Sequence, residues 1–248
     1  MSARQRVGVI DLYRRIATTY RSEATRLVAI AAIVFIPLGL VEALGERFAD
    51  VDLNELTELE LAALVAAGVA QGGTALLGEV FYSGAVAAVI VGARTGRRRR
   101  LREIAAELPY GRLVAIDLLF SLGFLVALLF LFVPALVFLV YFALCAPVAE
   151  IEDRGVRASF RRSAQLVRGR FWIVLGVLVP ITAAVEAFSE AGGSIGESLL
   201  GHDLLGEWLG STLVEIAATP VYAVAAVVIT ITLIEARGER LPGSAAAD

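Results

Sequence analysis

Lysine is absent from this sequence, and cysteine, histidine and methionine occur once each. The lone cysteine, Cys145, excludes an internal disulfide and leaves no set of thiolates for a zinc cluster. The lone histidine, His202, leaves the chain poor in metal ligands and short of the commonest general base. Charge is scarce too: 19% of residues are charged, where ordinary soluble domains carry about 25%. All 22 basic residues are arginine, a bias of the kind a GC-rich genome imposes before any recognition chemistry. No phosphate-binding loop, dinucleotide fingerprint, nucleophile elbow or paired-histidine metal motif occurs. The expectation is a chain with no catalytic activity, no cofactor and no metal.

What is present in excess is apolar surface. Hydrophobic residues make up 58% of the chain and mean hydropathy is +0.77, more than a soluble domain can bury. The apolar runs have spanning length, about 20 residues for a bilayer core of about 30 Å. The first covers residues 27–44. The second, 61–93, would be about 50 Å of helix, too long for one crossing. A break at Gly72-Gly73 gives a span over 74–93 and a helix at the surface over 55–70. Residues 113–149 carry one charge, Asp117, and no polar turn, so length alone allows one steep helix or a hairpin at Phe132-Val133-Pro134. Runs at 171–189 and 213–235 complete the set, with Pro180 and Pro220 as expected kinks.

Charge chooses the hairpin. A single span over 113–149 would put the arginines of 94–102 and those of 154–170 on opposite sides, against the excess of basic residues in cytoplasmic loops. The hairpin puts 21 of the 22 arginines on one side and leaves only Arg47 opposite, among acidic residues. The expected architecture is an all-α polytopic transmembrane bundle of six spans, both termini inside, in the cytoplasmic membrane. Residues 1–26 form an amphipathic cytoplasmic leader, 27–236 the membrane domain and 237–248 a cytoplasmic tail.

The loop EIEDRGVRASFRRSAQLVRGRFW, residues 150–172, holds six arginines. At helical spacing Val156, Phe160, Ala164, Val167 and Phe171 share a face, while Arg154, Arg157, Arg161 and Arg168 share a neighbouring arc of about 60°. Such a helix suits the membrane interface. Its guanidinium groups would meet anionic lipid headgroups at about 1 kcal/mol each, and Trp172 would anchor the next span. The competing reading is a topology signal only. The order Ala146-Pro147-Val148, Glu152-Asp153-Arg154-Gly155, Leu166-Val167-Arg168-Gly169, Phe171-Trp172 resembles the elbow of a bacterial family of six-helix membrane proteins. That family is similar to the membrane domain attached to some glycerophosphoryl diester phosphodiesterases, and Tyr20-Arg21 running into Ile36-Pro37 resembles its leader. The resemblance implies the fold and no activity, because nothing outside the spans is long enough for the phosphodiesterase barrel.

Carboxylates within the spans are the other candidates, since a charge in hydrocarbon costs at least about 2.5 kcal/mol. Glu42, Glu79, Glu186 and Glu215 all fall in the outer third of the expected membrane. They would form an outward vestibule for a cation, a proton or a basic substrate, or each would simply reach outer water. Asp117, near the cytoplasmic face, is expected to pair with Arg112 or an elbow arginine. His202, Asp203 and Glu207 in the outer loop 190–212 are too few for a metal site. The leading expectation is a non-enzymatic membrane protein engaging lipid or a partner through a basic cytoplasmic face. The alternative is a small-solute or ion transporter or channel using the outer glutamates. Nucleic acid is not expected, because lipid headgroups lie nearer to the basic clusters.

Overall fold

The computed structural model describes residues 8–49, 81–96, 99–200 and 204–241, with side chains described outside 41–49, 192–200, 204–207 and 210–211. Every regular element among them is helical: α1 (Val9–Ala49), α2 (Phe81–Thr95), α3 (Leu101–Glu107), α4 (Tyr110–Phe130), α5 (Phe132–Phe142), α6 (Cys145–Ile151), α7 (Val156–Val167), α8 (Phe171–Leu200) and α9 (Leu204–Glu235). Five helical stretches among the described residues are long and apolar enough to cross a membrane: Val9–Leu40, Tyr110–Phe130, Phe132–Ile151, Phe171–Ala191 and Thr212–Glu235. The expected span over 74–93 is represented by the shorter apolar helix Phe81–Thr95. The Gly72-Gly73 break and the 55–70 helix lie outside the described residues.

α9 is the centre of the bundle. Residues 223–234 are all buried, as expected of a helix that is apolar on every face. It packs most extensively against α1 and α8. Tyr82, Ala85, Val86, Val89 and Ile90 of α2 join the same core, and Phe35 of α1 meets Tyr82 with ring centroids 5.4 Å apart. α1 runs through residue 27 without a break, so the described part of the leader and the first expected span are one helix. Leu12 and Ile16 of the leader are buried in the core, and the Tyr13 hydroxyl donates to the Gly176 carbonyl of α8 at 3.1 Å.

The 113–149 run folds as a hairpin. Its break falls at Leu131, one residue before the expected tripeptide, where φ is 145°. Phe138 of α5 sits against the backbone of α4 at Gly123, where a Cβ would strike its ring. The outer face of this hairpin exposes Leu118, Leu122, Leu125 and Leu129. A soluble monomer rarely shows so continuous an apolar wall, whereas lipid tails cover it at no cost. Pro180 and Pro220 sit inside continuous helices. The outer loop of 190–212 is mostly absorbed into helix, because α8 continues to Leu200 and α9 starts at Leu204. The alanine, glutamate and leucine residues there outweigh a glycine cost of about 1 kcal/mol each.

Candidate functional site

The basic elbow is held by a buried ion-pair hub. After α6, Asp153 takes a left-handed backbone (φ 48°) that turns the chain into α7. Glu152 thereby faces α7, where Arg162 Nε donates to both its carboxylate oxygens at 3.0 Å and Nη2 donates to Oε1 at 2.8 Å. Arg162 Nη1 also donates to Glu239 Oε1, beyond the end of α9, at 3.3 Å. Arg162 is only 7% exposed. Burial pushes the Glu152 carboxyl up, but hydrogen bonds from Arg162 and Arg154 and the charge of both outweigh it, so its pKa lies below the ordinary glutamate value. Gly169, with φ 84°, supplies the left-handed residue that separates α7 from α8.

Other arginines converge on the same end. Arg112 pairs with Asp153 at 2.7 Å and donates to the Ala149 carbonyl at 3.2 Å. Arg94 and Arg15 reach Glu235 at 3.0 and 3.4 Å. Arg170 donates to the Ala236 carbonyl at 3.4 Å. The basic segments, distant in sequence, therefore share one end of the bundle with the ends of α2 and α9.

Among the expected elbow residues, Arg157, Arg161 and Arg168 are exposed, and Trp172 is 78% exposed with its ring edge-on to Phe171. Arg154 is exposed but committed to Glu152. α7 buries Ser159, Arg162, Ser163, Leu166 and Val167. Of its expected apolar face, Val167 is buried, while Val156, Phe160, Ala164 and Phe171 are half-buried. Small residues explain the rotation: the Ser163 hydroxyl donates to the Tyr141 carbonyl at 2.7 Å, and Arg162 must reach Glu152. One signal in the sequence pointed this way, since Arg162 lies about 100° from Arg161 on a helical wheel, off the basic arc.

A second feature lies within the bundle. A cavity of about 380 Å³ separates the α4–α6 segment from α8 and α9, with α2 closing one side. Asp117 and Glu186 line it, together with Tyr82, Thr182, Thr219 and Tyr222. Asp117, expected to pair with Arg112 or an elbow arginine, forms no ion pair among the described residues, and Arg112 is drawn to Asp153 and Ala149 at the helix end. Among the described residues, the buried Tyr82 and Thr182 hydroxyls have no hydrogen-bond partner. Glu186 is exposed and opens on this cavity, while Glu215 is half-buried on α9. Glu79 and the Glu42 side chain lie outside the described residues, as do the side chains of His202, Asp203 and Glu207. Among the described residues no three His, Cys, Asp or Glu side chains cluster as a metal site.

A family profile described as a domain of unknown function, DUF7847, matches residues 8–236. The chain belongs to that DUF7847 family. The match spans the whole cavity and all of the elbow except Glu239. No curated protein and no solved structure matches the chain. The DUF7847 assignment agrees with the expected family of membrane proteins only in lacking an assigned activity; it shows no likeness to the phosphodiesterases. Within this DUF7847 protein, sequence reasoning missed Arg162, Glu152 and Glu239, and missed the cavity hydroxyls entirely. Nothing in a run of apolar residues marks which hydroxyls will share a void.

Proposed function

We propose that this DUF7847 protein is a non-enzymatic component of the cytoplasmic membrane, with six spans and both termini inside, that engages anionic lipid headgroups through α7. The observation that carries this reading is the division of labour among the elbow arginines. Arg162, Arg154 and Arg112 are paired with carboxylates of the protein itself, while Arg157, Arg161, Arg168 and Trp172 are exposed. Exposed guanidinium groups and an interfacial tryptophan suit phosphate headgroups at the membrane surface. Basic residues gathered at one end support the inside orientation. The likeness of the elbow to phosphodiesterase-attached membrane domains belongs to this proposal and brings no activity with it.

The test is the triple variant Arg157→Gln, Arg161→Gln, Arg168→Gln in nanodiscs containing phosphatidylglycerol. Native mass spectrometry should show loss of retained phosphatidylglycerol with unchanged thermal stability. Equal retention by variant and wild type would remove the lipid reading. A small-solute or ion route is the second reading, favoured by Glu186 opening on the same cavity as Asp117. Unchanged flux for Glu186→Gln in proteoliposomes would count against it.

A further inference from the structure

We propose that the first turns of α1 and the start of α8 together form an interfacial anchor for anionic phospholipid, with Ile10 and Trp172 entering the acyl boundary and Arg14 engaging a headgroup phosphate. The proposal rests on the lipid reading for the identity of that surface and adds α1, which that reading does not use. Its first support is where the two helices meet. The Tyr13 hydroxyl donates to the Gly176 carbonyl at 3.1 Å, and a Cβ at Gly176 would touch the Val9 side chain at 3.8 Å. The apolar stretches Val9–Leu40 and Phe171–Ala191 therefore begin side by side. Gly176 lies about 8 Å along α8 from Phe171, and the headgroup layer on each side of a bilayer is about 5–7 Å thick. The first turns of a leader rich in arginine are thus level with the second turn of a span rather than beyond its end.

The second support is the chemistry gathered around this contact. Ile10 is 75% exposed, and Trp172, one turn before Gly176 and about 40° round α8 from it, is 78% exposed. Water is a poor neighbour for two large apolar side chains at that level, whereas the acyl boundary takes them with a gain. Arg14 is exposed and among the described residues enters no ion pair, while Arg15 beside it is paired with Glu235. At helical spacing Ile10 falls between Tyr13 and Arg14, so docking Tyr13 on α8 sets the apolar and the cationic side chain in a fixed order. Asp11, the acidic residue of this turn, falls on the far side of Arg14 from Ile10. An anionic lipid matches that order, with its chain at Ile10 and Trp172 and its phosphate at Arg14. A soluble acidic protein matches the charge alone and leaves the apolar pair in water.

The test uses the full chain in nanodiscs of phosphatidylcholine and phosphatidylglycerol. A nitroxide attached at Ile10→Cys, in a Cys145→Ala background, should collide with oxygen more than with a water-soluble nickel chelate. Tyr13→Phe should release the turn and raise collision with nickel severalfold. In the otherwise wild-type chain, Arg14→Gln should lower phosphatidylglycerol retention by native mass spectrometry about fivefold, the share of one basic residue at an anionic surface, and Ile10→Ser should lower it too. Both should melt like wild type, and both remain informative if the cysteine-free background does not fold. The α7 triple variant separates this proposal from the reading it rests on. A lipid-facing label, with retention lost in Arg14→Gln but kept in the α7 triple variant, supports the anchor and removes the α7 site. Retention lost in the triple variant but kept in both Arg14→Gln and Ile10→Ser overturns the anchor and leaves the α7 site standing. The anchor is also overturned by a label that meets nickel as freely as oxygen, or by one shielded from both, which would assign the patch to a protein partner.

Discussion

Arg162 on α7 and Glu239 past the end of α9 meet across the basic end of the bundle, although 77 residues separate them in sequence. With Glu152 on the other side of the same guanidinium, one buried arginine ties the elbow to the C-terminal segment. The hub is bidentate toward Glu152, with Nε on Oε2 and Nη2 on Oε1, the geometry in which arginine cannot be replaced by lysine without loss.

Arg162→Met should therefore destabilise the detergent-purified protein by about 1.5–3 kcal/mol, because the buried Glu152 then keeps only Arg154 as a partner. Thermal unfolding of Arg162→Met, Glu152→Gln and the double variant would check it. The double variant should lose less than the sum of the two. An additive result would show that the pair is not coupled.

The depressed pKa of Glu152 gives that coupling a pH signature. A carboxyl held below its unfolded value contributes stability above that value, and the contribution is lost as pH falls through the folded value. The melting temperature should thus drop on acidification below about pH 4.3, the ordinary glutamate value. Glu152→Gln should melt lower at neutral pH and show a flatter acid limb. A variant with the wild-type acid limb would assign the drop to other carboxylates.

Gly123→Val should loosen the α4/α5 hairpin by about 1–3 kcal/mol, since the added side chain must displace the Phe138 ring. Adding Phe138→Leu should restore part of the loss. Circular dichroism melts of the three proteins would report it.

Leu131→Gly should be neutral or stabilising by about 1 kcal/mol. The residue holds φ at 145°, a region suited to glycine, and its side chain is exposed at the hairpin tip, so no packing is lost. A clear fall in melting temperature would place the leucine in contacts that its exposure does not reveal.

Much of the fold was legible because each apolar run states its own length. The hairpin could be read from arginine placement alone, and it forms one residue from the expected turn. Less was legible at the elbow. Periodicity marked α7 as amphipathic, yet the buried face includes Ser159, Arg162 and Ser163, because the small serines allow close packing on α5 and α6 and Arg162 is paired with Glu152 and Glu239. Asp117 was visible as a charge in a span, and its nearest arginine was the natural partner. That arginine is claimed by Asp153, at a turn whose position depends on α6.

The sequence by itself determined that this chain is helical, apolar at spanning length in several stretches, and basic in separated segments. Those properties are local: a bilayer accepts any helix that satisfies its own backbone and presents apolar side chains. Only the tertiary structure decided that Arg162 is buried while Arg161 beside it is exposed, and that Asp117, Glu186, Tyr82 and Thr182 share one void. A buried polar group is satisfied or stranded by whichever helix packs next to it, and adjacency between helices is not written in the period of any one of them.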